Sequence, residues 1–336
     1  MGFFKRTTLS DRQEAAVRKT LINLRAQRRN RFRILACIDG SEESFVTVRA
    51  AAHLAKTDDT DVIILYVRPI DQGLHSGGLQ VRLATQNMME AGFELPGVKH
   101  LKRALDVLKE QGIDVSNWEF QADHQDAWGD PAGDNKTEFR SRTGRSVVLK
   151  LKTSPDVAVG ILDQYELGPY NLMILGEASH WRSEFKAFFG AGVVQTVMTM
   201  APCSVLVARP SGEKQGFLIC TDGTSRSMQT VRRSAVLAQT LGEPITLFAV
   251  AETEAGRGAA EEAVANGKAL LKAMKINVAD TKTSVGDAAD EIVETGSLYR
   301  VIVISDEGRS RFRRIFKKSI TSDILKRARS SVLNVR

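Results

Sequence analysis

Asp39-Gly40-Ser41 and Asp222-Gly223-Thr224 each close a short apolar run, and apolar residues at helical spacing follow both. An aspartate before glycine favours a tight turn, and the hydroxyl one residue on suits a helix N-cap. Near the other end, Arg309, Arg311, Arg313, Arg314, Lys317 and Lys318 crowd into ten positions, with no acid between Glu307 and Asp323. On a helix starting there, Arg311, Arg314 and Lys318 share one face. Such density suits a salt-dependent contact with phosphates. Only Phe312 and Phe316 interleave, so base stacking would contribute little. The remaining reactive side chains form no constellation. His53, His75, His100, His124 and His180 stand at no spacing from a nucleophile or metal partner. GxSxG, GxGxxG and GxxxxGK[ST] are missing, as are CxxC and HExxH, so no metal site is indicated. His124 with Asp123, Asp126 and Asp130 reads as a solvated acidic loop. Cys37, Cys203 and Cys220 lie in or beside apolar runs, which suggests buried thiols in a reducing compartment. These absences favour a binding or regulatory role over an enzyme and leave slow ATP hydrolysis open.

The chain of 336 residues is long enough for about two domains. With 43% hydrophobic and 26% charged residues it has ordinary globular usage. No apolar run approaches the ~18 residues of a spanning helix, and the N-terminus shows no secretory pattern. Arg6 breaks the myristoylation pattern. A cytoplasmic protein is the expectation. The net charge of +7 is unevenly placed: +8 over residues 1–33, +7 over 305–336, and −8 between them. Basic ends on an acidic body either solubilise the chain or meet an anionic partner such as RNA, the ribosome or acidic lipid headgroups.

What positions the two Asp-Gly turns is an internal repeat. Residues 33–57 and 216–240 align without a gap at an offset of 183, and twelve of the 25 positions are identical. Each copy reads as a strand, a turn, a helix, and then a second strand at Val62–Val67 or Ile245–Val250. A helix opened by Ser154-Pro155-Asp156 or Gly286-Asp287-Ala288 leads to a strand at Asn171–Leu175 or Val301–Ser305. A last helix precedes a strand at Ser204–Arg209 or Val332–Val335. Alternation of this kind predicts an α/β fold of two tandem doubly wound open parallel sheets. The expected divisions are a basic helical extension over 1–32, a first domain over 33–210 and a second over 215–336. The extension reads as a helix capped by Ser10, with Gln13 completing a capping box. Residues 121–146 have no counterpart in the second copy and read as an exposed loop or hairpin.

The run ILACIDGSEES at 34–44, the closing stretch 171–209 with its end APCSVLVAR, and LICTDGTSRS with the segment 301–336 in the second copy resemble the universal stress protein family. The resemblance covers nearly all of 33–336 and implies the adenine nucleotide alpha hydrolase-like fold. It implies an intramolecular pseudo-dimer joined through the last strands, with a further homodimer as an option. It also implies a stress-response role in sensing nucleotide or as an adaptor. Binding of an anionic surface through the basic ends, or regulation of a membrane transporter, are the alternatives. Many members bind ATP through G-x-x-G, nine residues, then G-S/T, where glycines admit phosphates to backbone amides and a helix N-terminus. By that resemblance Asp39 and Val67 match ribose and base positions in the first half, and Asp222 and Val250 in the second. Both aspartates equally suit simple turn capping. The phosphate loops depart from the pattern. In the first half Gly176 is kept, Ser179 replaces the second glycine, and Gly190 and Gly192 fall out of register. In the second, Ser305 replaces the first glycine, Gly308 is kept, Lys318 replaces the third, and Ser319 is kept. The small Gly190–Gly192 segment, against Lys318, makes the first half the expected site of ATP or a related adenine nucleotide.

Overall fold

A computed structural model describes residues 31–69, 96–127, 130–166, 169–176, 191–210, 212–305 and 320–336. The predicted N-terminal helix, Ser179, Gly190, Gly308, Ser319 and the basic run Arg309, Arg311, Arg313, Arg314, Lys317 and Lys318 lie outside the described residues.

The first half runs β1 (Phe32–Ile38), a 3-10 turn (Glu43–Phe45), α1 (Val46–Leu54), β2 (Thr60–Pro69) and α2 (Pro96–Glu110). It continues β3 (Glu119–Ala127), β4 (Asp130–Arg140), β5 (Ser146–Ser154), α3 (Val157–Glu166), β6 (Leu172–Gly176), α4 (Ala191–Met200) and β7 (Ser204–Ala208). The second half runs β8 (Gln215–Cys220), α5 (Ser225–Leu241), β9 (Ile245–Ala251) and α6 (Arg257–Ala273). Then follow β10 (Asp280–Val285), α7 (Ala288–Gly296), β11 (Tyr299–Ser305), α8 (Ile320–Arg327) and β12 (Ser331–Val335).

All twelve strands form one sheet, ordered β10-β9-β8-β11-β12-β7-β6-β1-β2-β5-β4-β3. Each half contributes the same parallel order, and the halves meet where β7 and β12 pair antiparallel, Leu206 opposite Leu333. Two strand edges that would otherwise invite association are thereby consumed.

The strands are apolar on both faces because helices cover both. On β1, Ile34, Ala36 and Ile38 face α1 and α2, while Leu35 and Cys37 face α3 and α4. In the second half α5 and α6 cover the first of these faces, α7 and α8 the other.

Residues 121–146 belong largely to a hairpin rather than a loop. β3 and β4 pair antiparallel, and β4 adds antiparallel to β5, Lys136 opposite Lys150. Of the group read as a solvated acidic loop, Asp123 and His124 are exposed as expected, but they stand on β3 and not in a loop. Asp134 pairs with Lys152 at 2.5 Å and accepts from the Thr153 amide at 2.7 Å. His124 Nδ1 lies 2.9 Å from Asn135 Oδ1 across the two strands. Polar residues at alternate positions are compatible with a strand whose one face is wet, which the acid count concealed.

Candidate functional site

β1 lies between β2 and β6, with β5 beyond β2 and β7 beyond β6, so the chain reverses its direction of winding beside β1. Open α/β sheets place their ligands in a crevice beyond the C-terminal strand ends at such a reversal, here β1 and β6. Asp39 and Gly176 are at this crevice. A Cβ on Gly176 would stand 3.5 Å from Ser44 Cα and from Thr47 Cγ2, so the end of β6 faces the start of the helix across it. In the second half Asp222 and Ser305 hold the matching positions, after β8 and at the end of β11.

The two aspartates build the same turn. Asp39 Oδ1 accepts from the Ser41 amide at 2.9 Å and the Ser41 hydroxyl at 2.6 Å. Asp222 Oδ1 accepts from the Thr224 amide at 3.0 Å and its hydroxyl at 2.6 Å. These are aspartate turns closed by the side chain on its own backbone two residues on. Gly40 and Gly223, at φ 87° and 78°, take the left-handed conformation that glycine adopts without strain. Thr224 then caps α5, accepting from the Ser227 amide. Ser41 makes the equivalent bond with the Ser44 amide at 3.1 Å, but there the chain passes through a 3-10 turn before α1 begins. Burial pushes the Asp222 carboxyl up, yet the hydroxyls of Ser227 and Thr224 outweigh it, and the group is held below its ordinary value. One oxygen of each carboxylate is thus committed to the turn.

The halves differ in what lies behind the turn. In the first, the His100 ring of α2 covers Gly40, and a Cβ there would fall 2.5 Å from His100 Nε2. His100 stacks on Tyr66, with ring centroids 5.7 Å apart and planes 22° from parallel. Burial, then Lys99, lowers the His100 pKa, against the pull of Asp39 and Glu42. Burial raises that of Tyr66, as does Asp39. Room for the phenol comes from Gly97, whose Cβ would lie 2.8 Å from Tyr66 Cδ1 and 2.6 Å from Leu151 Cδ1. In the second half Gly223 is backed by Ala263, whose Cβ would be 3.1 Å from a Cβ on the glycine. Ala249 stands in the repeat position of Tyr66.

Val67 and Val250 lie near the C-terminal ends of β2 and β9. Val67 is buried and Val250 half-buried; likewise Gly176 is buried and Ser305 half-buried. Gly192 is exposed in the first turn of α4, and no described residue would lie within 4 Å of a Cβ on it. The crevice thus unites Asp39 with Gly176, and Asp222 with Ser305. Tyr66 and His100 were not singled out from sequence. Their signal was present as Gly97 three residues before His100, and as tyrosine against alanine within the repeat.

Among the described residues no group of three or more His, Cys, Asp or Glu could hold a metal ion. Cys37 and Cys203 are buried; burial raises both thiols, the second to about 12, and it raises Cys220 to about 12 as well. No helix among the described residues is long and apolar enough to cross a membrane.

Two doubly wound α/β units, each with an Asp-Gly turn at its switch point, are joined through their last strands into one tandem protein. Residues 30–209 and 215–336 each match the model of the universal stress protein family, and the chain belongs to that family. No curated protein sequence matches it significantly. Among solved structures it is similar to a universal stress protein from Archaeoglobus fulgidus, at 14% identity and TM-score 0.59. That match covers 90% of this chain and 98% of the other. It is also similar to a Pseudomonas aeruginosa chain assigned to the same family, at 12% identity and TM-score 0.55, covering 92% and 94%. Both likenesses concern the fold.

Proposed function

We propose that this protein is a nucleotide-responsive stress protein that binds an adenine nucleotide in the crevice beside Asp222, without catalysing a reaction on it. The observation that carries this is the open turn of the second half. Asp222 has one carboxylate oxygen beyond the turn bond, among the described residues the small Ala263 alone backs Gly223, and Val250 and Ser305 are half-buried. A ribose hydroxyl is a fitting donor to that oxygen, since bonds to a charged acceptor are among the stronger ones. The first-half turn has the imidazole of His100 in the corresponding space, and Val67 and Gly176 are buried. This reverses the order expected from the loop residues alone, because a side chain on a distant helix narrows the site that the loop composition favoured. Binding without turnover is supported by the want of any acid, base and nucleophile constellation in the sequence.

The test is calorimetric titration of ATP into the full chain. Wild type is expected to bind at one dominant site. Asp222→Ala should weaken it about tenfold or more, the scale of one charged hydrogen bond, and Asp39→Ala should change it little. Equal losses from both, or no binding by wild type, would contradict the proposal. A steady-state phosphate assay on the same sample tests the second part, with continuous release counting against it.

A further inference from the structure

The junction of the two halves holds a cavity of about 310 Å³. It exists because α1 packs mainly on β1 and β6 and α5 mainly on β8 and β11, which leaves the central pair β7 and β12 partly uncovered on that face. Leu172, Leu206, Leu333 and Val301 form its floor, drawn from both halves. Its walls include Val46 and Ala50 of α1, with Leu237 and Leu241 of α5 opposite. A largely aliphatic cavity of this size, at a domain junction, is the ordinary form of a small-molecule site. It holds roughly ten methylene-sized groups, at the ~30 Å³ that a water-sized group occupies in liquid.

The rim is polar and positive. Arg49 is exposed and has no hydrogen-bond or ion-pair partner among the described residues. Arg300 Nε and His53 Nε2 stand 3.0 and 3.6 Å from the same Glu243 oxygen, and neither is aligned for a hydrogen bond to it. The other Glu243 oxygen accepts from the Gly216 amide at 2.6 Å. Burial, then Lys56 and Arg300, lowers the His53 pKa against Glu243, which favours the neutral ring at pH 7. Arg300 is offset by Glu243 beside it, Arg209 in the lining donates to backbone carbonyls of Leu325 and Ser330, and with Arg49 the cavity carries a net positive charge.

We infer that this junction cavity binds a small amphiphilic monoanion, a medium-chain aliphatic carboxylate, with its tail between α1 and α5 and its head at Arg49. The class follows from the two halves of the site. An aliphatic floor offers nothing to the edge of a base or to a sugar, while an unpaired guanidinium suits a carboxylate bidentately. The ligand would touch both halves at once and would therefore stabilise their union.

The test uses the full chain and decanoate below its micelle concentration, read by calorimetry and by thermal unfolding, with decanol and acetate as comparisons. Saturable binding of one decanoate per chain and a raised Tm are expected. Decanol should bind about tenfold more weakly for want of the charged head, and acetate not measurably. Arg49→Glu, at an exposed position, should weaken decanoate about tenfold or more. Ala50→Trp should fill the cavity and remove binding. If the tryptophan variant does not fold, the Arg49 variant decides. Absence of saturable decanoate binding, decanol binding as tightly as decanoate, or unchanged binding by Arg49→Glu would overturn the assignment.

Discussion

Arg209 and Arg336 hold equivalent places, each directly after the last strand of its half, and each reaches into the opposite half. The buried Arg209 guanidinium donates to Leu325 O at 2.6 Å, in the last turn of α8, and to Ser330 O at 3.1 Å. Arg336 donates to Met198 O at 2.6 Å and Thr199 O at 2.9 Å, in the last turn of α4. The backbone repeats the exchange: the Arg209 amide bonds Ser331 Oγ at 3.0 Å, and the Arg336 amide bonds Ser204 Oγ at 3.2 Å. Each arginine thus meets the open carbonyls and negative dipole end of a helix in the other half. The junction is held by a reciprocal pair of caps as well as by the β7–β12 ladder.

Arg209→Ala should accordingly destabilise the chain by about 2–4 kcal/mol, because it strips buried carbonyls of their donor. Arg336→Ala, at a half-buried position, should cost less, about 1–2 kcal/mol. Urea denaturation of both variants checks this. A loss near zero for Arg209→Ala would mean that the caps do not hold the junction.

The Tyr66 and Gly97 contact gives a coupling prediction. Gly97→Ala places a methyl against both Tyr66 and Leu151 and should cost about 1–2 kcal/mol, although alanine is the better helix former. In a Tyr66→Ala background, which puts the alanine of the second half in that place, the same change should cost less, with the contact to Leu151 at 2.6 Å remaining. A double-mutant cycle measures the difference, and strict additivity would contradict the fit described.

His53 and His100 share a downward shift whose first cause is burial. Near their ordinary pKa of 6.5 the unfolded chain takes up protons that the folded chain resists, so the unfolded state binds more. Stability should therefore be fully present above pH 6.5 and fall as the pH drops below it toward the folded values. Glu138 acts in a lower window. Burial raises it, but Lys136 and Arg140 hold it at about 2, so its contribution is lost between about pH 4.5 and 2. Denaturation at several pH values between 7.5 and 5 should show the histidine slope, flattened in a His53→Gln, His100→Gln double variant. An unchanged slope in that variant would assign the effect elsewhere.

Burial of Cys37 and Cys203, with Cys220 half-buried, predicts slow alkylation. At pH 7.5 an excess of iodoacetamide should modify the folded chain far more slowly than the denatured chain, where three thiols react. Rapid labelling of Cys37 or Cys203 in the folded state would show that β1 or the entry to β7 opens readily.

Much of this was legible in the sequence, for identifiable reasons. The repeat carried its own proof, since twelve identities at one offset fixed two strand-turn-helix units and their Asp-Gly turns. Strands covered on both faces announced a doubly wound fold through their continuous apolar runs. The hairpin was half legible, because its alternating polar residues look the same in a loop until β4 finds β5. The aromatic cover of Gly40 was out of reach. It depends on the packing of α2 against β2, which places His100 over a turn sixty residues earlier. The junction cavity was equally hidden, for it arises from the gap between α1 and α5, two helices that local pattern describes separately.

The central claim is that nucleotide occupies the second-half crevice because His100 narrows the first. ATP titrated into wild type, Asp222→Ala and His100→Ala tests it most directly. One dominant site in wild type, its loss in Asp222→Ala, and a second site gained in His100→Ala are predicted. Binding that survives Asp222→Ala and disappears with Asp39→Ala would contradict it.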